Sequence, residues 1–221
     1  MDGLESLLHG RWSCRAFRPD PVPRPTIERL LELAQRTPSW CNTQPWHLTL
    51  TSGEATRRLA GALHARAGSD EAEAPDLPFP EAYRGRYLDR RRECGFALYE
   101  AVGIQRGDRT RSAEQGRENF RFFGAPHFAL VTTERDLGVY GAIDCGGYVS
   151  VFLLAARSLG LATVPQAAVA GHSGWLREYF ALPDHRSVVC GISFGYADEA
   201  HPANAFRTTR ASITEAVDWR D

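Results

Sequence analysis

The sequence predicts an α+β fold, a central mixed β-sheet flanked by helices, in a single domain over residues 1–221. Three observations point there. Segments 47–51, 127–132 and 187–194 have strand patterning, the first alternating and the last continuously apolar. Residues 140–159 form the longest apolar helix, fit for a core or a subunit interface. Between 26 and 37, Ile27, Leu30, Leu31 and Ala34 recur at helical spacing and give one apolar face.

Taken in order, residues 4–10 make a short helix that leads into Arg11-Trp12-Ser13-Cys14-Arg15-Ala16-Phe17. If that segment is extended, Arg11, Ser13 and Arg15 point to one side. That side either holds a phosphate through charge-assisted hydrogen bonds or is a solvated basic surface. Thr26 is the expected cap of the next helix, and Pro38 its stop. A strand at 47–51 and a helix to about residue 67 follow. Residues 68–80 read as an exposed, mobile connection. From 81 to about 121 the pattern is helical, broken near Gly107-Asp108 and dense in Arg and aromatics, among them Tyr83 and Tyr87. It is either a lid for an anionic aromatic substrate or a surface helical pair with its own ion pairs. Residues 162–170 form an irregular apolar segment around Pro165, Gln166, Ala167 and Ala168. A short helix at 173–180 ends before Pro183. The arm at 200–221 carries Arg207 and Arg210 and is too poor in apolar periodicity to fold alone.

Composition removes several functions. A net charge of -1 gives no electrostatic case for nucleic acid or an anionic membrane. No apolar run approaches a membrane span; the best, 149–161, is short and carries Arg157. The N-terminus lacks a signal-peptide pattern, so the expected location is cytoplasmic. Five scattered cysteines, without C-x-x-C or zinc-ligand spacing, predict buried free thiols and no metal, with Cys41 set apart by its neighbours. All 26 basic residues are Arg, which excludes Schiff-base chemistry and leaves Arg to hold any anion.

The stretch Pro38-Ser39-Trp40-Cys41-Asn42-Thr43-Gln44-Pro45-Trp46 is the organising segment. Two prolines predict an extended backbone whose polar groups are free to meet a flat heteroaromatic ligand; a polar loop with a Trp anchor is the plainer reading. Serine-hydrolase, zinc-protease, P-loop and dinucleotide fingerprints are absent. Asp144 could be a base, but a helix-start cap is its more economical role. What remains, three Arg/Ser/Thr clusters and two irregular segments, suits a phosphorylated cofactor that carries its own redox chemistry.

The residues Arg11-x-Ser13-x-Arg15-x-Phe17, Pro38-Ser39-x-x-Asn42-x-Gln44-Pro45-Trp46, Gly160-Leu161 followed by Pro165, and Gly195-Tyr196 with an Arg-rich tail resemble the FMN-dependent nitroreductase family. The likeness spans nearly the whole chain, and 90–126 looks like the nitrobenzoate-type members. It implies a nitroreductase-like intertwined homodimer with FMN sites shared across the interface, a lid at about 81–121 and a C-terminal arm at about 200–221. It implies that Arg11, Ser13 and Arg210, joined by Arg207, clamp the FMN phosphate, that Trp12 also contacts the cofactor, and that Arg15 stabilises negative charge at the flavin N1/O2 edge, the flavin doing the remaining chemistry. Pro38, Ser39, Trp40 and Asn42 would come from the second subunit, and Gln44 would also contact the cofactor. Pro165, Gln166, Ala167 and Ala168 would line one ring face, and Trp40, Cys41, Tyr83 and Tyr87 would meet substrate.

The implied activity is ping-pong reduction of a small aromatic acceptor, nitrobenzoate-like compounds included, with NADPH or NADH as donor. Alternatives within the same fold are a quinone, free flavin, an enone or a halophenol as acceptor; a non-catalytic FMN-binding protein and a cofactor-free structural dimer are others. This sequence has only Arg where relatives often carry a lysine beside the flavin, Trp40 where a small residue is common, and Ala168 where Gly is frequent.

Overall fold

The computed structural model describes residues 3–69 and 71–220; Asp70 in the expected connection and Asp221 at the end of the expected arm lie outside them. Four strands form the sheet, β1 (His47–Ser52), β2 (His127–Glu134), β3 (Ala162–Gln166) and β4 (Arg186–Gly195), in the order β1-β2-β4-β3. All neighbouring strands are antiparallel. The expected mixed character comes down to one parallel bridge, Ser13 to Thr163, which lays the first arginine segment against the β3 edge. Residues 162–166, expected to be irregular, are therefore a true edge strand. Pro165 is compatible with the edge because, among the described residues, the only ladder of β3 is with β4, and the bridge on its other side is at Thr163, two residues away.

Each sheet face has its own core. On one side α2 (Arg24–Ala34) and α6 (Gly138–Ser158) cover Ala129, Val131, Cys190, Ile192 and Phe194. On the other, α3 (Glu54–Arg66), the 3-10 segment Glu118–Gly124 and α7 (Ser173–Tyr179) pack on Phe128, Leu130 and Val188. Alternation along β2 sorts its side chains between the faces. A bulge opposite Val131/Thr132 puts Val188 on the opposite face from Cys190. Gly191 lies under the Phe128 ring, whose carbons stand 2.4 and 2.6 Å from where a Cβ would be. Phe128 in turn stacks on Phe122 at 4.1 Å.

Several element boundaries differ from the sequence reading. Helix α2 starts two residues before Thr26, because Pro23 occupies the N-cap and Pro25, which has no N–H to waste, fits the first turn. It ends at Ala34, four residues before Pro38. Helix α6 begins at Gly138, so Asp144 lies inside it and caps nothing; its carboxylate accepts the Trp40 N–H at 3.1 Å. With the preceding turn, α6 is long and apolar enough to cross a membrane by length and composition, contrary to the sequence expectation. Tyr148, Phe152 and Ala156 nevertheless pack it into the core.

The 68–80 connection is a pinned strap. The Asp76 carboxylate accepts two hydrogen bonds from Arg177 at 2.9 Å and one from Val188 N–H at 2.8 Å, and Ala74 N–H donates to the Gly171 carbonyl. The helical region 81–121 resolves into α4 (Gly85–Ala101) and α5 (Arg109–Arg117), the latter capped by Asp108. After a short helix α1 (Gly3–Gly10), the chain enters the segment on which the site is built.

Candidate cofactor site

The arginine segment runs against β3 and alternates over its middle, the condition on which its side chains share a side: Cys14 and Ala16 are buried and Ser13 and Arg15 only partly so. Backbone bonds fix it at four points. Cys14 N–H donates to Thr163 O (2.9 Å), Phe17 N–H to Phe123 O (3.2 Å), Arg18 N–H to Tyr196 O (2.9 Å), and Asp198 N–H to Ala16 O (3.0 Å). The outward side chains are thereby carried on a rigid rail rather than a loop.

The arm closes over that rail. Arg207 stacks on the Trp12 ring at 4.1 Å and donates to the carbonyls of Asn204 and Phe206. Arg15 donates to the Ser13 carbonyl at 3.2 Å and lies 5.5 Å from the Phe206 ring. Arg210 is folded back on Thr208, donating to its hydroxyl at 2.9 Å. Together Arg11, Trp12, Ser13, Arg15, Arg207 and Arg210 line a cavity of about 440 Å³, with Cys94 of α4 on its wall. The six were separated by nearly the whole sequence. The fold brings them together.

Electrostatically the cavity is one-sided. Among the described residues, the ion pairs include none of these four arginines. Burial, and next the nearby Arg210, push the Arg11 guanidinium below its ordinary pKa; burial does the same to Arg15. Four cations gathered without a carboxylate cost folding energy unless an anion joins them. The donor set fits a phosphate, since planar guanidinium forks and a serine hydroxyl match its oxygens.

The remaining sequence-predicted residues lie outside this cavity. Pro38, Ser39, Trp40, Asn42 and Gln44 form a tight turn rather than the extended segment expected. Ser39 Oγ accepts the Gln44 N–H at 2.9 Å, and Gln44 is tied to Gln35, which also receives the Trp46 indole N–H. Closing that turn puts Cys41, Asn42 and Gln44 at φ of 51°, 56° and 47°. Such left-handed non-glycine residues cost energy that the hydrogen bonds must offset. Trp40 is 60% exposed and packs on Tyr140 of α6 at 4.4 Å. Cys41 is exposed and Cys94 half-buried, so free thiols are not buried throughout, though all five are unbridged.

Pro165, Ala167 and Ala168 run along the end of β3 into the 3-10 turn Ala167–His172. Ala167 is exposed, and as first residues of the turn Ala167 and Ala168 present N–H groups that the helix itself cannot satisfy. Gln166 is different: its side chain is buried, donating to Asn119 O and accepting from Ser193, which leaves only its backbone for a ligand. Tyr83 and Tyr87 are exposed, against Arg91 and Arg86, and neither lines the arginine cavity. Arg90 of α4 pairs with Glu215 and Glu93 accepts from Thr209, so this helix grips the arm. Sequence reading missed Cys94, Asn204 and Phe206. The first had a signal in the i, i+3, i+4, i+7 spacing of Arg90, Glu93, Cys94 and Ala97; the other two had none.

Residues 8–196 match the model of the Nitroreductase family. A solved structure of the FMN-dependent nitroreductase NfnB from Mycobacterium smegmatis, in complex with NADPH, is similar with a TM-score of 0.93 and 36% identity, covering 99% of this chain and 98% of that one. A 4-nitrobenzoate reductase of Nocardioides sp. is 36% identical over all of this chain and 92% of its own. One from Pseudomonas putida is 33% identical over 95% and 92%. Matched by the family model over most of its length and by these relatives over nearly all of it, the chain belongs to the nitroreductase family.

Proposed function

We propose that this protein is an FMN-dependent NAD(P)H oxidoreductase that reduces nitroaromatic compounds of the nitrobenzoate kind, working as a cytoplasmic homodimer. The observation that carries the reading is the cavity with four arginines and no carboxylate partner. Bound there, FMN would supply the redox chemistry, carrying two electrons from the nicotinamide to the acceptor in a ping-pong cycle. Arg11, Ser13 and Arg210 hold the phosphate. Arg207, already stacked on Trp12, fixes the arm across it. Arg15 neutralises the charge that builds at the N1/O2 edge, a preorganised effect that is worth most in a half-buried site. The exposed end of β3 offers backbone N–H groups at Ala167 and Ala168 to the ring.

An uncovered apolar strip supports the dimer. Val139, Tyr140 and Ile143 of α6 are all more than half exposed, and Gly146, Gly147 and Ser150 continue the strip as small residues that permit close helix approach. Trp40 lies on the same surface, so pairing through it carries the 38–44 turn of one subunit toward the site of the other. Five unbridged thiols suit a reducing compartment. The test is NADPH oxidation by the FMN-loaded protein, without and with 4-nitrobenzoate. Strong stimulation by the acceptor supports the reading. A flavin-loaded protein whose NADPH consumption the acceptor leaves unchanged is a binding protein or a reductase of something else.

A further inference from the structure

The side chain best placed to organise the site is one that never enters it. Asn204 is 4% exposed and sits in the 3-10 turn Pro202–Asn204, at the root of the arm. Its Oδ1 accepts the Arg15 N–H at 2.7 Å, while Nδ2 donates to the Ala16 carbonyl at 2.8 Å and the Asp198 carbonyl at 2.7 Å. Two carbonyl acceptors and one N–H donor admit a single amide orientation and occupy both of its donors. Its own backbone carbonyl takes the Arg207 guanidinium at 2.7 Å. One residue therefore touches both the rail that carries Arg15 and the arm arginine stacked on Trp12.

We infer that Asn204 is a positioning residue that sets Arg15 and Arg207 relative to one another, so that the phosphate end and the ring end of the cofactor are held in register. The inference rests on the proposed FMN site. No other side chain of comparable size supplies this pattern: Asp would turn an oxygen toward two carbonyls, and Ala would leave the Arg15 N–H without a partner in a dry setting while the Ala16 and Asp198 carbonyls fall back on the Asp198 and His201 N–H groups alone. Leaving a buried N–H unpaired at the rail is felt at Arg15 first, because it is Arg15's own.

The test is a double-mutant cycle of Asn204→Ala and Arg15→Ala, read by anaerobic rapid mixing of the FMN-saturated proteins with NADPH. Thr56→Val, which breaks a buried hydroxyl pair that does not line the arginine cavity, serves as a control for lost stability. Asn204→Ala is expected to slow flavin reduction about tenfold even when FMN is saturating, as befits loss of roughly one well-placed interaction. In the Arg15→Ala background the same change is expected to cost less than about twofold, because the group it positions is gone. Multiplying effects of the two substitutions, or a reduction rate unchanged by Asn204→Ala while the melting temperature falls as in the Thr56→Val control, would overturn the role. If the alanine variant does not fold, Asn204→Asp, which keeps an acceptor for Arg15, carries the same cycle. Wild-type protein that takes up no FMN fails the site proposal itself, whereas normal uptake with additive effects fails only this inference.

Discussion

Removing Arg11 separates a ligand-binding arginine from a structural one, because the two predict opposite signs for the empty protein. Arg11 has no carboxylate partner among the described residues and is held below its ordinary pKa by burial and by Arg210. In protein stripped of cofactor it is therefore a net cost, and Arg11→Ala leaves the melting temperature unchanged or raises it. With a phosphate in place the balance reverses. A charge-assisted hydrogen bond contributes about 1.5–3 kcal/mol, so its loss weakens FMN binding roughly 10- to 150-fold, at tenfold per 1.4 kcal/mol. The dissociation constant also becomes less sensitive to salt, since one of the charges that salt screens has been removed. Quenching of FMN fluorescence on titration into stripped protein measures the affinity; thermal unfolding of the same sample measures the stability. A variant that loses several degrees when empty and binds FMN as the wild type does would refute the reasoning, for Arg11 would then be a fold-stabilising residue.

Three further outcomes follow from other parts of the molecule. Arg15→Ala is expected to slow flavin reduction by NADPH more than it weakens FMN binding; stopped-flow reduction rates that match the wild type remove its role. Gly191→Ala drives a methyl into the Phe128 ring and should cost about 2 kcal/mol, a fall of about 4–8 °C in melting temperature for a chain of this size; calorimetry checks it, and no shift would mean that the ring is not seated as described. His127 is neutral in the fold, its Nε2 accepting the Val22 N–H at 2.8 Å and its burial lowering its pKa. A histidine lowered in the folded state contributes stability in full above its unfolded value, about 6.5, and loses it as pH falls toward the folded value. Wild-type stability should therefore decline as pH falls below about 6.5 in denaturant titrations. His127→Phe should flatten part of that slope while lowering stability at pH 8, where Val22 N–H is left unpaired. His47, His64 and His172 are lowered by burial too and account for the remainder.

Much of the site was legible because its signals are local. Alternation puts Arg11, Ser13 and Arg15 on one side if their segment is extended, and in the structure all three line one cavity. The strands at β1, β2 and β4 were visible from their apolar patterns. Other features depend on partners far along the chain. Asp144 looked like a cap because nothing nearby reveals that α6 starts six residues earlier or that Trp40 N–H will meet its carboxylate. The 38–44 turn looked extended because its left-handed residues are held by Ser39 and Gln35, an arrangement that proline content does not encode. The strap at 68–80 looked mobile because its composition is that of a loop, while its anchor, Arg177, lies about a hundred residues away. Asn204 left no trace in the sequence at all: a buried asparagine matters through what it bonds, and all but one of those groups are backbone.

The claim on which everything rests is that the arginine cavity holds a flavin that nicotinamide reduces and an aromatic nitro compound reoxidises. The visible absorption spectrum of the purified protein, recorded anaerobically before NADPH, after NADPH and after 4-nitrobenzoate, tests it in one cuvette. A flavin spectrum that bleaches with the nucleotide and returns with the nitro compound is the predicted result. A protein that shows no flavin even after incubation with FMN would contradict the account, because the four arginines would then gather for something else.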